Sequence, residues 1–193
     1  MKNEKAISPQ QCQTLLHWFS EFEEVYKECT SSIKDTDKDR VEEQLIDAIK
    51  AEGVSLRYSY EQSPQSVNSS KKVQILAKIF ALWSVSTAVS ESEGEEVLIV
   101  YEPHAAQIVS IFLLLCLDKT PGEKIIAENR LTEVKTGEGK SISLAVVSIY
   151  LSIFGYEVHC ACYSEILSSR DEKEFQNLFT ATHTYKNIKY GIF

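Results

Sequence analysis

Apolar residues recur at helical spacing through most of the first half of the chain. The apolar side chains between Leu15 and Tyr26 follow a period close to that of an α-helix, and Pro9 stands where a helix start tolerates proline. A second amphipathic helix is predicted over Val41 to Ile49, with Gly53 ending it. A third helix, over Lys71 to Ala88, has a broad apolar face. The region 1–95 is therefore predicted to be α-helical.

The pattern changes after an acidic stretch, Ser90 to Glu96, which we interpret as a linker at a domain boundary. Beyond it, short β-branched or alternating runs predict strands, and these runs alternate with helical periodicity. The predicted strands are Val97–Tyr101, Leu131–Val134, Tyr156–Cys162 and Ile188–Gly191, and the predicted helices begin at Pro103, Ser141 and Ser164. Because alternating strands and helices favour a parallel sheet, we predict an α+β or α/β fold in which residues 96–193 form a partial parallel sheet with flanking helices.

Composition and charge narrow the function classes. The 193 residues carry 28 acidic and 20 basic side chains, a formal net charge of -8, so the chain repels nucleic-acid phosphate on average and we expect no nucleic-acid partner. The longest apolar stretch, Ala105 to Leu117, is well short of the about 20 residues that a transmembrane helix needs. We find no signal peptide behind Met1, and five cysteines without C-x-x-C spacing are typical of reduced thiols. We therefore expect a cytoplasmic protein.

One motif carries recognisable chemistry. Thr136, Gly137, Glu138, Gly139, Lys140 and Ser141 form a T-G-E-G-K-S string between a predicted strand and a predicted helix. In a phosphate-binding loop (Walker A motif), glycines let backbone N–H groups surround a phosphate, the lysine neutralises its oxygens, and the serine hydroxyl ligates the Mg²⁺ of the nucleotide. The helix N-terminus adds a favourable partial charge. Val134 replaces the first glycine of the full motif, as in helicase-like variants. The motif predicts binding of ATP or ADP with Mg²⁺, with Ser141 as the metal contact.

The neighbourhood of this string resembles the SecA family of preprotein-translocating ATPases. The segment from Leu131 to Ser141 is similar to the family's I-A-E-M-x-T-G-E-G-K-T, and Gly155 to His159 is similar to its G-x-x-V-H strand. Three further segments show the same likeness: Pro103–Gln107, Tyr163–Asp171 and Asn187–Gly191. The likeness covers about residues 101–193. It implies a DEAD-type, RecA-like P-loop domain, here a partial one that stops before the Walker B string.

The resemblance assigns roles to two residues outside the loop. It implies that Gln107 hydrogen-bonds to the edge of the adenine base. This role suits a carboxamide, because one such group can donate to adenine and accept from it at once. The resemblance also implies that Arg170 lies near the nucleotide or caps the next helix through Asp171, and an ordinary surface ion pair is the alternative. The family's D-E-x-D Walker B string is absent after the loop, so we assign no catalytic residue. The interval from Gln107 to the loop is also lengthened, by an insertion around Asp118 to Asn129.

Two functions follow as hypotheses. The first is an ATP- or ADP-binding fragment of a SecA-like motor, which in the intact protein would couple ATP hydrolysis to polypeptide translocation. The second is a non-catalytic SecA-like remnant that acts as a protein-interaction or regulatory module. The expected partners are therefore a nucleotide and an unfolded polypeptide or another protein. A small sheet with an uncovered edge also predicts either an edge-to-edge homodimer or cover by the N-terminal helices.

Overall fold

Three long helices build the first half of the chain. The computed structural model describes residues 7–34, 37–63, 67–92, 96–118, 129–135 and 137–193, and for residues 34, 90–92 and 96–98 it describes the backbone alone. Helices α1 (Pro9–Ser31), α2 (Lys38–Gln62) and α3 (Ser69–Thr87) begin after Ser8, Asp37 and Asn68 respectively, each of which accepts a hydrogen bond from a backbone N–H of the first turn. The sequence predicted all three helices.

Helix α2 is longer than predicted because Gly53 lies inside it rather than at its end. A Cβ added at Gly53 would lie 3.0 Å from the Ile153 Cγ2 atom of a neighbouring helix. The absent side chain therefore allows close packing between two helices, and the prediction of a helix end at this glycine was wrong. Apolar residues continue the buried stripe past it at Leu56.

The predicted acidic linker is instead part of a β-hairpin. Strands β1 (Val89–Ser92) and β2 (Glu96–Ile99) pair antiparallel, with Val89 opposite Ile99, and residues 93–95 lie outside the described part. The predicted strand over Val97–Tyr101 thus exists in shortened form, but its partner is the polar segment before it. The composition of that segment concealed its pairing, because backbone hydrogen bonds do not require apolar side chains.

Helices α4 (Ala105–Leu114), α5 (Lys140–Ile153) and α6 (Glu165–Ala181) follow, and α6 connects the two strands of a parallel pair. Strand β3 (Val158–Cys162) lies beside β4 (Ile188–Ile192), with His159 opposite Lys189. A helix that joins two adjacent parallel strands is the usual crossover connection. The insertion predicted around Asp118 to Asn129 falls largely outside the described residues.

Among the described residues, the four predicted strands do not form one sheet. Leu131–Val134 forms no strand there, and the Leu131 side chain is fully exposed, so this residue lacks the apolar cover of a sheet neighbour. The protein is mostly helical with a two-stranded parallel sheet and a separate two-stranded hairpin, which agrees with an α+β class. The boundary predicted between 1–95 and 96–193 stays a prediction.

One apolar core extends through both halves. Phe22 of α1 makes edge-to-face contacts with Phe80 of α3 and Phe112 of α4, at ring-centroid distances of 5.7 and 6.2 Å. Within this core the buried Tyr26 hydroxyl donates to Ser84 Oγ at 2.9 Å. Helix α3 in turn contacts α5 and α6, so the N-terminal helices pack directly on those that carry the predicted site. Across the described ranges, the helices are too short or too polar to cross a bilayer.

Candidate functional site

The predicted phosphate-binding loop leads directly into helix α5. Gly137 and Gly139 have φ values of 89° and 68°, a region that favours glycine, and Gly139 precedes the first helical residue, Lys140. The Glu138 N–H donates to the carbonyl of Lys135 at 3.2 Å, which tightens the turn. Thr136 lies outside the described residues. Both glycines of the string therefore have the positive φ angles for which the motif requires glycine.

Gln107 ties helix α4 to this loop. Its side chain is 4% exposed, and its Nε2 donates to the carbonyl of Gly139 at 3.3 Å while its Oε1 accepts from the His104 N–H at 2.7 Å. A carboxamide has two donor hydrogens and two acceptor lone pairs, so one of each remains for a ligand. Gln107 thus lies at the loop, as its predicted role requires. That it contacts adenine stays a prediction.

The Lys140 ammonium is bound to its own loop. It donates to the carbonyls of Val134 and Lys135, each at 2.9 Å, and the side chain is exposed. These two carbonyls belong to the segment that the sequence predicted as a strand. An arriving phosphate would offer this lysine a stronger, charge-assisted partner than the two neutral carbonyls do.

Ser141 and Arg170 meet at a carboxylate that the sequence did not single out as a site residue. The Ser141 hydroxyl donates to Asp171 Oδ2 at 3.0 Å, while Arg170 Nη2 and Nε donate to the other oxygen, Oδ1, at 2.6 and 3.0 Å. The hydrogen bond to Asp171 raises the pKa of the Arg170 guanidinium, so this cation stays charged. Asp171 therefore joins the start of α5 to α6.

These groups surround a cleft of about 390 Å³. Five of the eight predicted site residues contribute to its walls: Gln107, Gly137, Gly139, Ser141 and Arg170. Its other walls come from α3, from the segment before α4, and from α5 and α6: Trp83, Tyr101, Glu102, His104, Ile142, Glu174 and Phe175. Glu138 and Lys140 lie on the loop but not in the described lining of the cleft.

The acidic side of the cleft is what sequence reasoning missed. Glu102 and Glu174 line the cleft, and Asp171, three residues before Glu174 on α6, contacts the lining residues Ser141 and Arg170. Residues three apart on a helix share a face. The signal was available, because residues 171–174 spell D-E-K-E, an acidic run close to the D-E-x-D string whose absence we noted. It lies on a helix rather than after a strand, where such a string is normally sought.

A second cleft, of about 430 Å³, lies between α1, α2 and α3 and contains none of the predicted site residues. Its walls include Cys29, whose thiol pKa is raised mainly by burial, and Lys78, which is paired with Glu52. The Lys78 ammonium already has a carboxylate partner, and the walls come from helix interiors without a glycine loop. The second cleft therefore offers a phosphate fewer donors than the first cleft does.

The chemistry of the donors in the first cleft suits a magnesium nucleotide. Mg²⁺ prefers oxygen ligands and is usually held by one or two protein groups together with phosphates and water. The Ser141 hydroxyl, at the start of α5, and the Asp171 carboxylate, which contacts it from α6, are such groups. In the part of the chain that the structure describes, no three His, Cys, Asp or Glu side chains converge on a common metal position.

The chain matches a known protein family over most of its length. The family model described as the SecA DEAD-like domain matches residues 13–188, which is nearly the whole chain and includes the helices of the first half. No solved structure matches the chain significantly. The match therefore extends well beyond the region 101–193 over which the motifs alone show a likeness. The chain belongs to the SecA DEAD-like domain family.

Proposed function

We propose that the chain binds ATP or ADP, with Mg²⁺, in the cleft between α4, α5 and α6. The observation that carries the proposal is the loop itself: two glycines with positive φ lead into the N-terminus of α5, beside a buried Gln107 and the charged Arg170. The N-terminus of a helix attracts phosphate through its free N–H groups and its dipole. Membership of the SecA DEAD-like family supports the same ligand class.

The contacts suggest a role for each group. Lys140 would exchange the carbonyls of Val134 and Lys135 for phosphate oxygens, and Ser141 would contact the Mg²⁺ that the phosphates carry. When bound, Mg²⁺ supplies charge neutralisation and orients the phosphates. Gln107 keeps one donor and one acceptor for the adenine edge. Arg170 lies in the cleft wall, where its charge favours the nucleotide over a neutral ligand.

In a complete SecA-type motor, this nucleotide site would couple ATP hydrolysis to the movement of an unfolded polypeptide. The competing function is a non-catalytic module that binds a protein partner, as a monomer or a homodimer. One observation favours the module: residues 131–134 form no strand, so the loop lacks the sheet support expected of a P-loop domain. The cytoplasmic setting stays a prediction with both functions.

A titration with a fluorescent ADP analogue separates these functions. Lys140→Ala should abolish ADP binding. The control Lys135→Ala removes the same charge from the same loop but leaves the Lys135 carbonyl in place, so this variant should still bind ADP. Since Lys140 is exposed, its loss should change the stability of the ligand-free protein little. In the wild type, Mg·ADP at a hundredfold excess over Kd should add about 2.7 kcal/mol of stability.

Three results would contradict the proposal. Equal ADP affinity in the wild type and Lys140→Ala would show that the loop does not hold the phosphates. A melting temperature that stays constant up to millimolar Mg·ADP would show that no nucleotide binds, and would leave the protein-binding module as the better function. A loss of binding in both lysine variants would mean that general charge, rather than the Lys140 position, attracts the ligand.

A further inference from the structure

Two carboxylates line the cleft without a role in the proposed nucleotide site. Glu102 and Glu174 make no hydrogen bond or ion pair with another described residue. A carboxylate only accepts hydrogen bonds, so it cannot bind the phosphates, which are acceptors of the same charge. The hydrogen-bond donors of an adenine nucleotide are the amino group of its base and the hydroxyls of its ribose. We propose that Glu174 accepts hydrogen bonds from the ribose hydroxyls, so that the site selects ribonucleotides, and this inference rests on the proposed nucleotide binding.

Glu174 lies one helical turn beyond the residues that mark the phosphate end of the cleft. Arg170 precedes it by four residues on α6, and Asp171, three residues before it, binds the Ser141 hydroxyl at the start of α5. Residues three or four apart share one face of a helix, and the helical rise puts Glu174 about 6 Å along α6 from Arg170. A single ester linkage joins ribose to the first phosphate, so the sugar of a nucleotide whose phosphates lie at the loop reaches this turn.

The charges along this face of α6 orient a nucleotide. The hydrogen bond from Arg170 to Asp171 raises the pKa of the guanidinium most, and the nearby charge of Glu174 raises it further, so a cation and a carboxylate lie close together. Phosphates favour the cation and the N-terminus of α5, whereas a phosphate at Glu174 would meet a like charge. The neutral sugar is therefore the part of the nucleotide that fits beside Glu174.

Glu102 lines the cleft from the segment before α4 and suits a different part of the nucleotide. It lies five residues before Gln107, whose remaining donor and acceptor are proposed to face the base. The pKa of Tyr26 in the helical core is raised mostly by burial, and the charge of Glu102 contributes to the same shift. Glu102 is therefore on the Gln107 side of the cleft, while Glu174 is on the Arg170 side. A carboxylate that binds a ribose hydroxyl is also how many dinucleotide sites recognise the sugar.

Deoxy analogues of ADP test the ribose contact directly. Isothermal titration calorimetry compares the affinities of the wild type for ADP, 2′-deoxy-ADP and 3′-deoxy-ADP in the presence of Mg²⁺. Because Glu174 is exposed, its hydrogen bond should contribute at the lower end of the range for a charged acceptor, and at least one deoxy analogue should bind about tenfold more weakly than ADP. Glu174→Ala should bind ADP as weakly as that analogue and should not distinguish the two. Glu172→Ala, which removes the same charge from the same helix outside the described cleft lining, should keep the wild-type preference.

Inorganic pyrophosphate, which has no sugar, separates a ribose contact from a structural role. Glu174→Ala should bind pyrophosphate at least as tightly as the wild type does, because the variant loses a like charge. Equal wild-type affinity for ADP and both deoxy analogues would overturn the inference while leaving nucleotide binding intact. A preference for ADP that persists in Glu174→Ala, or that Glu102→Ala removes instead, would also overturn it, as would a parallel loss of pyrophosphate affinity in Glu174→Ala. If the wild type binds no ADP at all, the proposed function fails, and this inference fails with it.

Discussion

Replacing Gly139 by alanine tests how the loop is packed against helix α4. Gly139 has a φ of 68°, and a Cβ at this position would overlap Gln107 Nε2 and lie 3.3 Å from both Gln107 Cδ and Ile142 Cγ2. Gln107 cannot simply move aside, because it is 4% exposed and its carboxamide is bonded at both ends. The substitution therefore combines backbone strain with the loss of a buried hydrogen-bonded group.

The two contributions can be separated in magnitude. A left-handed conformation costs an L-amino acid about 1–2 kcal/mol, offset in part by about 0.4–1 kcal/mol because alanine restricts the unfolded chain. Leaving a buried polar group unsatisfied costs about 1–3 kcal/mol. We therefore expect Gly139→Ala to lower the free energy of unfolding by about 2–4 kcal/mol, which corresponds to roughly 5–15 °C in Tm for a domain of this size.

Gly137→Ala is the matched control. Gly137 has a φ of 89°, but nothing lies within 4 Å of its would-be Cβ, so this variant carries the strain without the collision. We expect it to lower the free energy of unfolding by about 1 kcal/mol. Thermal and urea unfolding of both variants would measure the difference.

A double-mutant cycle identifies the cause of that difference. In a Gln107→Ala background the collision partner is gone, so Gly139→Ala should cost only the strain, and the two substitutions should be non-additive by about 1–3 kcal/mol. Equal destabilisation by Gly137→Ala and Gly139→Ala, together with additive energies in the cycle, would refute the packing of Gln107 on Gly139.

Two further predictions concern a buried charge and catalysis. Burial lowers the pKa of Lys72, a residue only 7% exposed, below its usual 10.5. The folded state thus disfavours the charged form of Lys72, which lowers the free energy of unfolding. This loss of stability is complete below the folded-state pKa of Lys72 and disappears as the pH rises through 10.5. Lys72→Met should therefore raise Tm at pH 7 by about 2–4 °C, which corresponds to about 1 kcal/mol of stability. Melting curves should show this gain in Tm becoming smaller towards pH 10. A gain in Tm that grows with pH would contradict the prediction. The purified chain should also hydrolyse ATP negligibly. An arginine that acts on the transferred phosphate contributes ~10³–10⁵ in rate. Arg170 lies in the cleft wall, but its guanidinium is already bound to Asp171. Steady phosphate release near ~1 per second that Lys140→Ala abolishes would show that a catalytic group was missed.

The helices were the predictable part of this fold. Long apolar stripes and capping residues such as Ser8 and Asn68 are local signals, and the observed helices fall close to the predicted ones. The strands β3 and β4 were also predictable, because each is a short segment of alternating apolar and polar or small residues next to a helix. The location of the loop at the start of α5 followed from the motif, which specifies glycines where the backbone needs positive φ.

The errors arose where pairing, rather than composition, decides the structure. Leu131–Val134 has a strand-like sequence, but a strand exists only with a partner, and the carbonyls of Val134 and Lys135 bind the Lys140 ammonium instead. Residues 90–92 have a linker-like composition and yet pair with residues 96–98. Asp171 was considered only as a partner of Arg170, because its distance along the chain from Ser141 hides their contact.

The site depends on the helical half of the chain as much as on the loop. Gln107 reaches Gly139 from α4, and α4 is fixed by the contact of Phe112 with Phe22 of α1. The segment after α4 is also tied to α1, since Asp118 accepts a hydrogen bond from Gln11 Nε2 at 3.0 Å. Asp118 also pairs with Arg130 at 3.2 Å, just before the residues that enter the loop. Because these contacts connect α1 to both ends of the site, a substitution in the α1 core should change nucleotide affinity through the position of Gln107, without touching the loop.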